Sequence, residues 1–208
     1  MKIIDNILSV SNDTLNTLID NSKTDKNTTH SYLPTYQKIF ANKKETAKHI
    51  LEIGIGDNSC ASGNGGSIKL WHDYFENATI HALDIIPLDV VWDQIKNNNR
   101  ISIYHSSDAY EEKFFNDNFL NKDIKFDIMI DDGPHSLDSM LTFIKLYSNV
   151  LANDGILVIE DIQSIDWIPI LTNEVPDNLK KFIQVYDLRS IKNRYDDLMF
   201  VINTETVS

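Results

Sequence analysis

The sequence is short of several things, and each shortage excludes something. It has one cysteine, Cys60, in 208 residues. A lone thiol excludes an internal disulfide framework and fits a reducing compartment, so a cytoplasmic location is expected. No apolar run is long enough to cross a bilayer, and Met1–Val10 has neither the basic start nor the cleavage site of a secretory leader. No membrane role is expected. There is no block of Lys or Arg either: 19 basic side chains face 31 acidic ones, for a net charge of -12. That balance argues against nucleic acid as a partner, and it is compatible with a cationic ligand or a bound metal. Repeats, low-complexity tracts and composition breaks are also missing. With 42% hydrophobic residues, the reading is one domain over residues 1–208, with a helical or lid-like segment at 1–45 and an α/β core at 46–208.

What is there centres on Phe126 to Asp161. Phe126–Ile130 is a short apolar run that stops at the turn residues Asp131-Asp132-Gly133-Pro134. Leu137, Met140, Leu141, Ile144, Tyr147 and Leu151 then recur at helical spacing. Asn153-Asp154-Gly155 is expected to close that helix, and Ile156–Ile159 to form the next strand. A strand–helix–strand unit is almost always a right-handed crossover between parallel strands. Both strands would then end on one edge of the sheet, bringing Asp132 close to Glu160 and Asp161. Three gathered carboxylates repel unless a cation or a proton intervenes. All-oxygen ligation suits Mg²⁺, Mn²⁺ or Ca²⁺ better than Zn²⁺. His135 follows Asp132 closely enough to take a proton from something held there. Taken singly, each acidic pair is explained as a turn or a strand-end cap. Together, at one sheet edge, they read as a site.

The flanking segments fit an open α/β sheet. His49–Ile53 reads as a strand entering a small-residue loop from Gly54 to Ser67, with a helix over Ile68–Phe75. The loop lacks the lysine of a phosphate-gripping motif. At the third position of a dinucleotide fingerprint stands Ser59, after which the loop runs on. Thr79–Leu83 ends at Asp84, where a carboxylate can hold a ribose diol. Ile101–His105 is followed by Ser106-Ser107-Asp108, placing Asp108 to meet a purine edge; either Asp can also serve as a helix cap. Leu179–Asp187 and Leu198–Asn203 suggest a terminal antiparallel hairpin, which makes a mostly parallel, seven-stranded Rossmann-like sheet. Met1–Lys23 reads as one or two short helices. Thr24–Tyr36, TDKNTTHSYLPTY, reads as a linker with packing tyrosines or as a lid.

These pieces resemble the Rossmann-like S-adenosylmethionine-dependent methyltransferases. The more specific likeness is to the metal-dependent sugar O-methyltransferases of macrolide biosynthesis, the mycinamicin and macrocin group. Four segments carry it: TDKNTTHSYLPTY, GGSIKLWHDYFENATIHALDI, FDIMIDDGPH and GILVIED. The resemblance implies that Asp132, Glu160 and Asp161 hold Mg²⁺ or Mn²⁺ and that His135 is the base. It implies cofactor contacts at Glu52, Gly54, Gly56, Ser67, Asp84, Ser107, Asp108, Asp131 and Tyr36. Lys26, His30 and Tyr32 would lie over cofactor and substrate. The implied acceptor is a hydroxyl on a sugar, a nucleotide sugar or another vicinal diol. Methylation of an amino sugar, a catechol acceptor and a non-catalytic nucleotide-binding domain stay open, as does a homo-oligomer. The glycine loop departs from the family pattern by inserting roughly Asn58–Asn64. No auxiliary N-terminal domain is expected, so substrate size does not carry over.

Overall fold

The computed structural model describes residues 14–56 and 64–205, together with the backbone of 2–5. Cys60 and most of the loop insertion lie outside the described residues. The elements run β1 (Lys2–Asp5), α1 (Thr14–Leu18), α2 (Leu33–Phe40), β2 (His49–Ile53), α3 (Gly66–Tyr74), β3 (Thr79–Leu83), α4 (Asp93–Lys96) and β4 (Ile101–Tyr104). There follow α5 (Glu112–Asn118), β5 (Phe126–Asp131), α6 (Leu137–Tyr147), β6 (Leu151–Ile159), α7 (Trp167–Glu174), β7 (Ile183–Asp187), α8 (Arg189–Lys192) and β8 (Leu198–Asn203).

The strands form one sheet in the order β1-β7-β8-β6-β5-β2-β3-β4. Only β8 runs against its neighbours, pairing antiparallel with β6 and β7. This is the expected Rossmann-like sheet with its C-terminal hairpin. The seven strands read from the sequence are all present, and β1 adds an eighth at the edge by pairing parallel with β7. β1 occupies part of the stretch read as helical; four residues are too few for periodicity to separate the two states.

Each central strand is apolar on both faces, as a sheet covered on two sides requires. Ile50, Ile80, Ile128, Ile130, Val158 and Val201 pack into one layer. Their strand neighbours Leu51, Leu83, Met129, Leu157, Ile159 and Phe200 pack into the other. α6 begins with a capping box in which the side chains of Ser136 and Ser139 each bond the other's backbone N–H. It ends earlier than its apolar spacing suggests, at Tyr147. One 3₁₀ turn, Ser148–Val150, intervenes before β6 starts at Leu151. Leu151 fits the helical stripe, but in the fold it pairs with Phe126 across a register shift in β5. The same happens at β7, where Lys180–Phe182 forms a 3₁₀ turn and the strand starts only at Ile183.

Two features of this topology position the site. β5 and β6 are direct parallel neighbours, with Asp131 opposite Ile159. β2 lies beside β5 at the point where strand order reverses, the place where open α/β sheets leave a crevice beyond their strand ends.

Candidate active site

The crevice is shaped by backbone conformations that cost energy. His135 (φ 52°) and Asp161 (φ 53°) are both in the left-handed region, which side chains with a Cβ disfavour. Gly54 leaves β2 at φ 81°, and a Cβ there would stand 1.9 Å from the carbonyl oxygen of Asp132. Glycine is what lets the tips of β2 and β5 approach so closely.

Two cavities open at these strand tips. One, of about 520 Å³, is walled by Asp84, Ile85, Ser107, Asp108 and Tyr110. The other, of about 410 Å³, is walled by Asn21–Asp25, Ser67, His135 and Asp161. Gly54, Gly56, Asp132 and Gly133 line both, so the two adjoin at the Asp132–Gly133 corner. In the larger cavity Asp84 accepts the N–H of Ile55 at 2.7 Å and that of Ile86 at 3.1 Å. These bonds fix its carboxylate while leaving lone pairs on both oxygens. Asp108 is exposed to the same cavity and caps the N–H of Tyr110 at 2.8 Å.

The smaller cavity holds the acidic cluster. The ligand atoms of Asp132, His135 and Asp161 all lie within 4.8 Å of one another. His135 Nε2 is 3.1 Å from Asp132 Oδ1 and 3.5 Å from Asp161 Oδ2. Glu160 is next to this trio in sequence but turns inward, accepting from Tyr36 Oη at 2.5 Å and from Lys26 Nζ. Lys26 is only 1% exposed and also reaches Asp132 Oδ2 at 2.7 Å and Glu52 Oε1 at 3.3 Å. Glu52 is further fixed by the indole N–H of Trp71 at 2.7 Å. Asp131 accepts from the Tyr110 hydroxyl, and its other oxygen has no hydrogen-bond partner.

The charges explain the titration pattern. Burial raises the Asp132 carboxyl, but Lys26 and His135 outweigh it and hold the group down at about 2. Burial alone would lower the His135 imidazole; its hydrogen bond to Asp132 and the charges of Asp132, Asp161 and Asp131 push it above 6.5 instead. Burial lowers the Lys26 ammonium too, and three carboxylates overcome that, keeping it charged. Asp161 is raised by burial and by Asp132. Asp131 is pushed up to about 6, chiefly by burial. Four carboxylates from two adjacent strand tips thus outnumber the one lysine among them. Carboxylates so placed, three of them pushed up by burial, need a proton or a cation. A pair of carboxylates with room for water suits Mg²⁺ or Mn²⁺, which keep part of their hydration shell, so the residues present fit such an ion.

Of the residues singled out from sequence, the fold brings Asp132, His135 and Asp161 together in one cavity, with Gly54, Gly56 and Ser67 in its wall. Asp84, Ser107 and Asp108 line the adjoining one. Glu52, Tyr36, Asp131 and Glu160 lie in neither wall; Glu52, Tyr36 and Glu160 form the buried layer beneath, with Lys26, and Asp131 is buried against Tyr110 instead. His30 and Tyr32 do not face a cavity and instead sit behind Asp161. Sequence reasoning did not single out Asp197, which bonds His30, or Tyr110. Their partners come from 167 and 21 residues away, and no local pattern announces such a pairing.

No family model matches the chain. It is 29% identical over 133 residues to the 8-demethyl-8-(2-methoxy-alpha-L-rhamnosyl)-tetracenomycin-C 3'-O-methyltransferase of Streptomyces olivaceus, covering 64% of this chain and 32% of that one. The mycinamicin VI 2''-O-methyltransferase of Micromonospora griseorubida is 29% identical over 139 residues, covering 66% and 33%. The chain therefore spans about a third of the length of these relatives. Among solved structures, the MycE methyltransferase of the mycinamycin biosynthetic pathway, in complex with Mg and SAH, superposes with a TM-score of 0.66 at 22% identity, over 95% of this chain and 56% of that one. The chain is similar in sequence to O-methyltransferases named for tetracenomycin and mycinamicin substrates, and it shares the fold of the MycE methyltransferase.

Proposed function

We propose that this chain transfers a methyl group from S-adenosylmethionine to a hydroxyl of a sugar or another vicinal diol, with Mg²⁺ or Mn²⁺ in the acidic cluster. The observation that carries the proposal is the meeting of the two cavities at Asp132–Gly133. One wall set offers carboxylates for a nucleoside, and the other offers a base beside a cation site. The names of the relatives, which act on glycosylated tetracenomycin and mycinamicin, support a sugar acceptor.

In this reading Asp84 accepts from the ribose hydroxyls and Asp108 meets the adenine edge. Asp132 and Asp161 hold the ion, while Glu160 keeps Lys26 in place beneath them. When bound, the donor supplies a methyl carbon activated by its sulfonium, and the ion supplies Lewis acidity toward the acceptor oxygen. An alcohol also needs somewhere to put its proton. His135 Nε2 is at the cavity but donates to Asp132 in this structure, so in this reading it must first give up that proton; it then accepts the acceptor's, and Asp132 stabilises the imidazolium that re-forms. The walls align the acceptor with the methyl group, and such positioning is worth several kcal/mol. Asn21–Asp25 wall the smaller cavity from the N-terminal side, which supports a lid role for that stretch.

The test is binding followed by turnover. Calorimetry should show S-adenosylhomocysteine bound and NAD not bound. Methyl transfer from labelled donor to a panel of sugars and nucleotide sugars should stop on addition of EDTA. Transfer that survives EDTA removes the ion from the mechanism; binding of NAD in place of S-adenosylhomocysteine removes the methyltransferase.

A further inference from the structure

Several contacts to Asp161 come from behind it. His30 Nδ1 is 3.1 Å from Asp161 Oδ1 and 2.7 Å from Asp197 Oδ1. Both neighbours are carboxylate oxygens, so Nδ1 carries the ring proton; it donates to Asp197 Oδ1, and Asp161 Oδ1 stands beside it as a charged neighbour. The Tyr32 hydroxyl donates to the same Asp161 Oδ1 and stacks against His30, with ring centroids 4.9 Å apart. The Asp161 backbone N–H points to that hydroxyl at 3.3 Å. Every one of these contacts is to Oδ1 or to the main chain. Asp161 Oδ2 is left facing His135 and the cavity.

Asp197 is fully buried just before β8, and its second oxygen has no hydrogen-bond partner. Burying a carboxylate this way is costly, and the packing alone does not call for it. The loop before β8 is in turn tied to the His30 segment: Lys192 Nζ donates to the carbonyls of Asn27, Thr28 and His30. The hairpin and the polar segment thus form one body around the imidazole.

From this geometry we infer that Asp197 and His30 are a positioning pair for the cation site: Asp197 fixes the tautomer and plane of His30, and His30 with Tyr32 occupies Asp161 Oδ1 so that Oδ2 alone is presented to the ion. A carboxylate behind a histidine behind the residue that holds the ion is the arrangement by which outer partners set ligand orientation. Without it Asp161, strained in the left-handed region, would be free to turn either oxygen inward. The inference rests on the proposed cation site and concerns its affinity. It predicts nothing about the nucleoside cavity, which shares none of these four residues.

The experiment is Mn²⁺ binding to the whole chain without methyl donor or acceptor, followed by electron paramagnetic resonance, with S-adenosylhomocysteine affinity measured alongside. Asp197→Asn keeps the shape but removes the charge that fixes His30. It should weaken Mn²⁺ by about tenfold to a hundredfold while changing S-adenosylhomocysteine affinity less than twofold. His30→Gln should show a similar loss. The double variant should be no worse than either single one, because both substitutions break the same relay. Retained S-adenosylhomocysteine binding shows that each variant is folded. Should Asp197→Asn unfold the chain, His30→Gln and Tyr32→Phe carry the same test. Unchanged Mn²⁺ affinity in the folded variants, or losses that simply add, overturns the positioning pair. Failure of the unsubstituted chain to bind Mn²⁺ overturns the cation site itself, and this inference with it.

Discussion

Two polar clusters on the sheet, one buried and one partly buried, differ in whether they close. Toward the β4 edge of the sheet, His49 on β2, His81 on β3 and Tyr104 on β4 lie across adjacent strands. His49 Nδ1 is 3.2 Å from His81 Nε2, and His81 Nδ1 is 3.3 Å from the Tyr104 hydroxyl. One hydroxyl proton and one ring proton satisfy this chain with every member neutral. The strand-tip cluster has no such arrangement. Its carboxylates exceed its cations, Asp131 keeps an oxygen without a hydrogen-bond partner, and the group opens onto a cavity. The lesson is that buried polarity alone does not mark a site. What marks it is polarity that the protein leaves unbalanced at an opening.

Substitutions should therefore act differently in the two places. The largest effect is expected at the open cluster. Asp132→Ala removes a cation-holding oxygen and a partner of both Lys26 and His135, and methyl transfer should fall about a thousandfold. S-adenosylhomocysteine binding, measured by calorimetry, should stay nearly intact; an enzyme still active after this change would show that the cluster is only structural. Next, His135→Ala should lower kcat by about a hundredfold or more with little change in acceptor KM, as loss of a base does. A change in KM alone would make His135 a binding residue. If the ion takes Nε2 as a ligand instead, the same variant will lose Mn²⁺ affinity, which separates the two roles.

At the closed cluster the effects should be on stability and pH. Burial and the neighbouring His49 hold His81 down at about 4, against 6.5 when free. Between those values the unfolded chain takes up a proton that the folded chain refuses. Stability is therefore full above 6.5 and falls as pH drops toward 4, by at most about 3 kcal/mol. Denaturant midpoints across this window should show the slope, and His81→Gln should flatten it. A slope unchanged in that variant assigns the acid sensitivity elsewhere. The smallest effect belongs to Tyr104→Phe, which removes one hydrogen bond at a half-buried position and should cost about 1 kcal/mol. Methyl transfer should be unaltered; a loss of rate would couple the two clusters and undo the contrast.

Some of this was legible before the fold was known. Apolar runs bounded by Asp, Gly and Pro marked the central strands, because a strand covered on both faces is apolar at most of its positions. The crossover rule then put Asp132 beside Glu160 and Asp161 without any knowledge of side chains. Reading was weakest where one residue fits two patterns. Leu151 continues the helical stripe of α6 yet belongs to β6, since its partner Phe126 lies outside the window that periodicity inspects. Glu160 was read as equal to its neighbours, but alternation along a strand turns successive side chains to opposite faces, and it points into the Lys26 layer.

By itself the sequence determined the fold class and the edge of the sheet where the acidic residues meet. Both follow from hydrophobic period and chain connectivity, which are local. Only the tertiary structure decided which oxygen faces the cavity and which lysine neutralises the layer beneath. It alone showed that His30 stands behind Asp161 with Asp197 at its back. Those choices depend on contacts between residues more than a hundred positions apart, where packing, and not local preference, sets the energy.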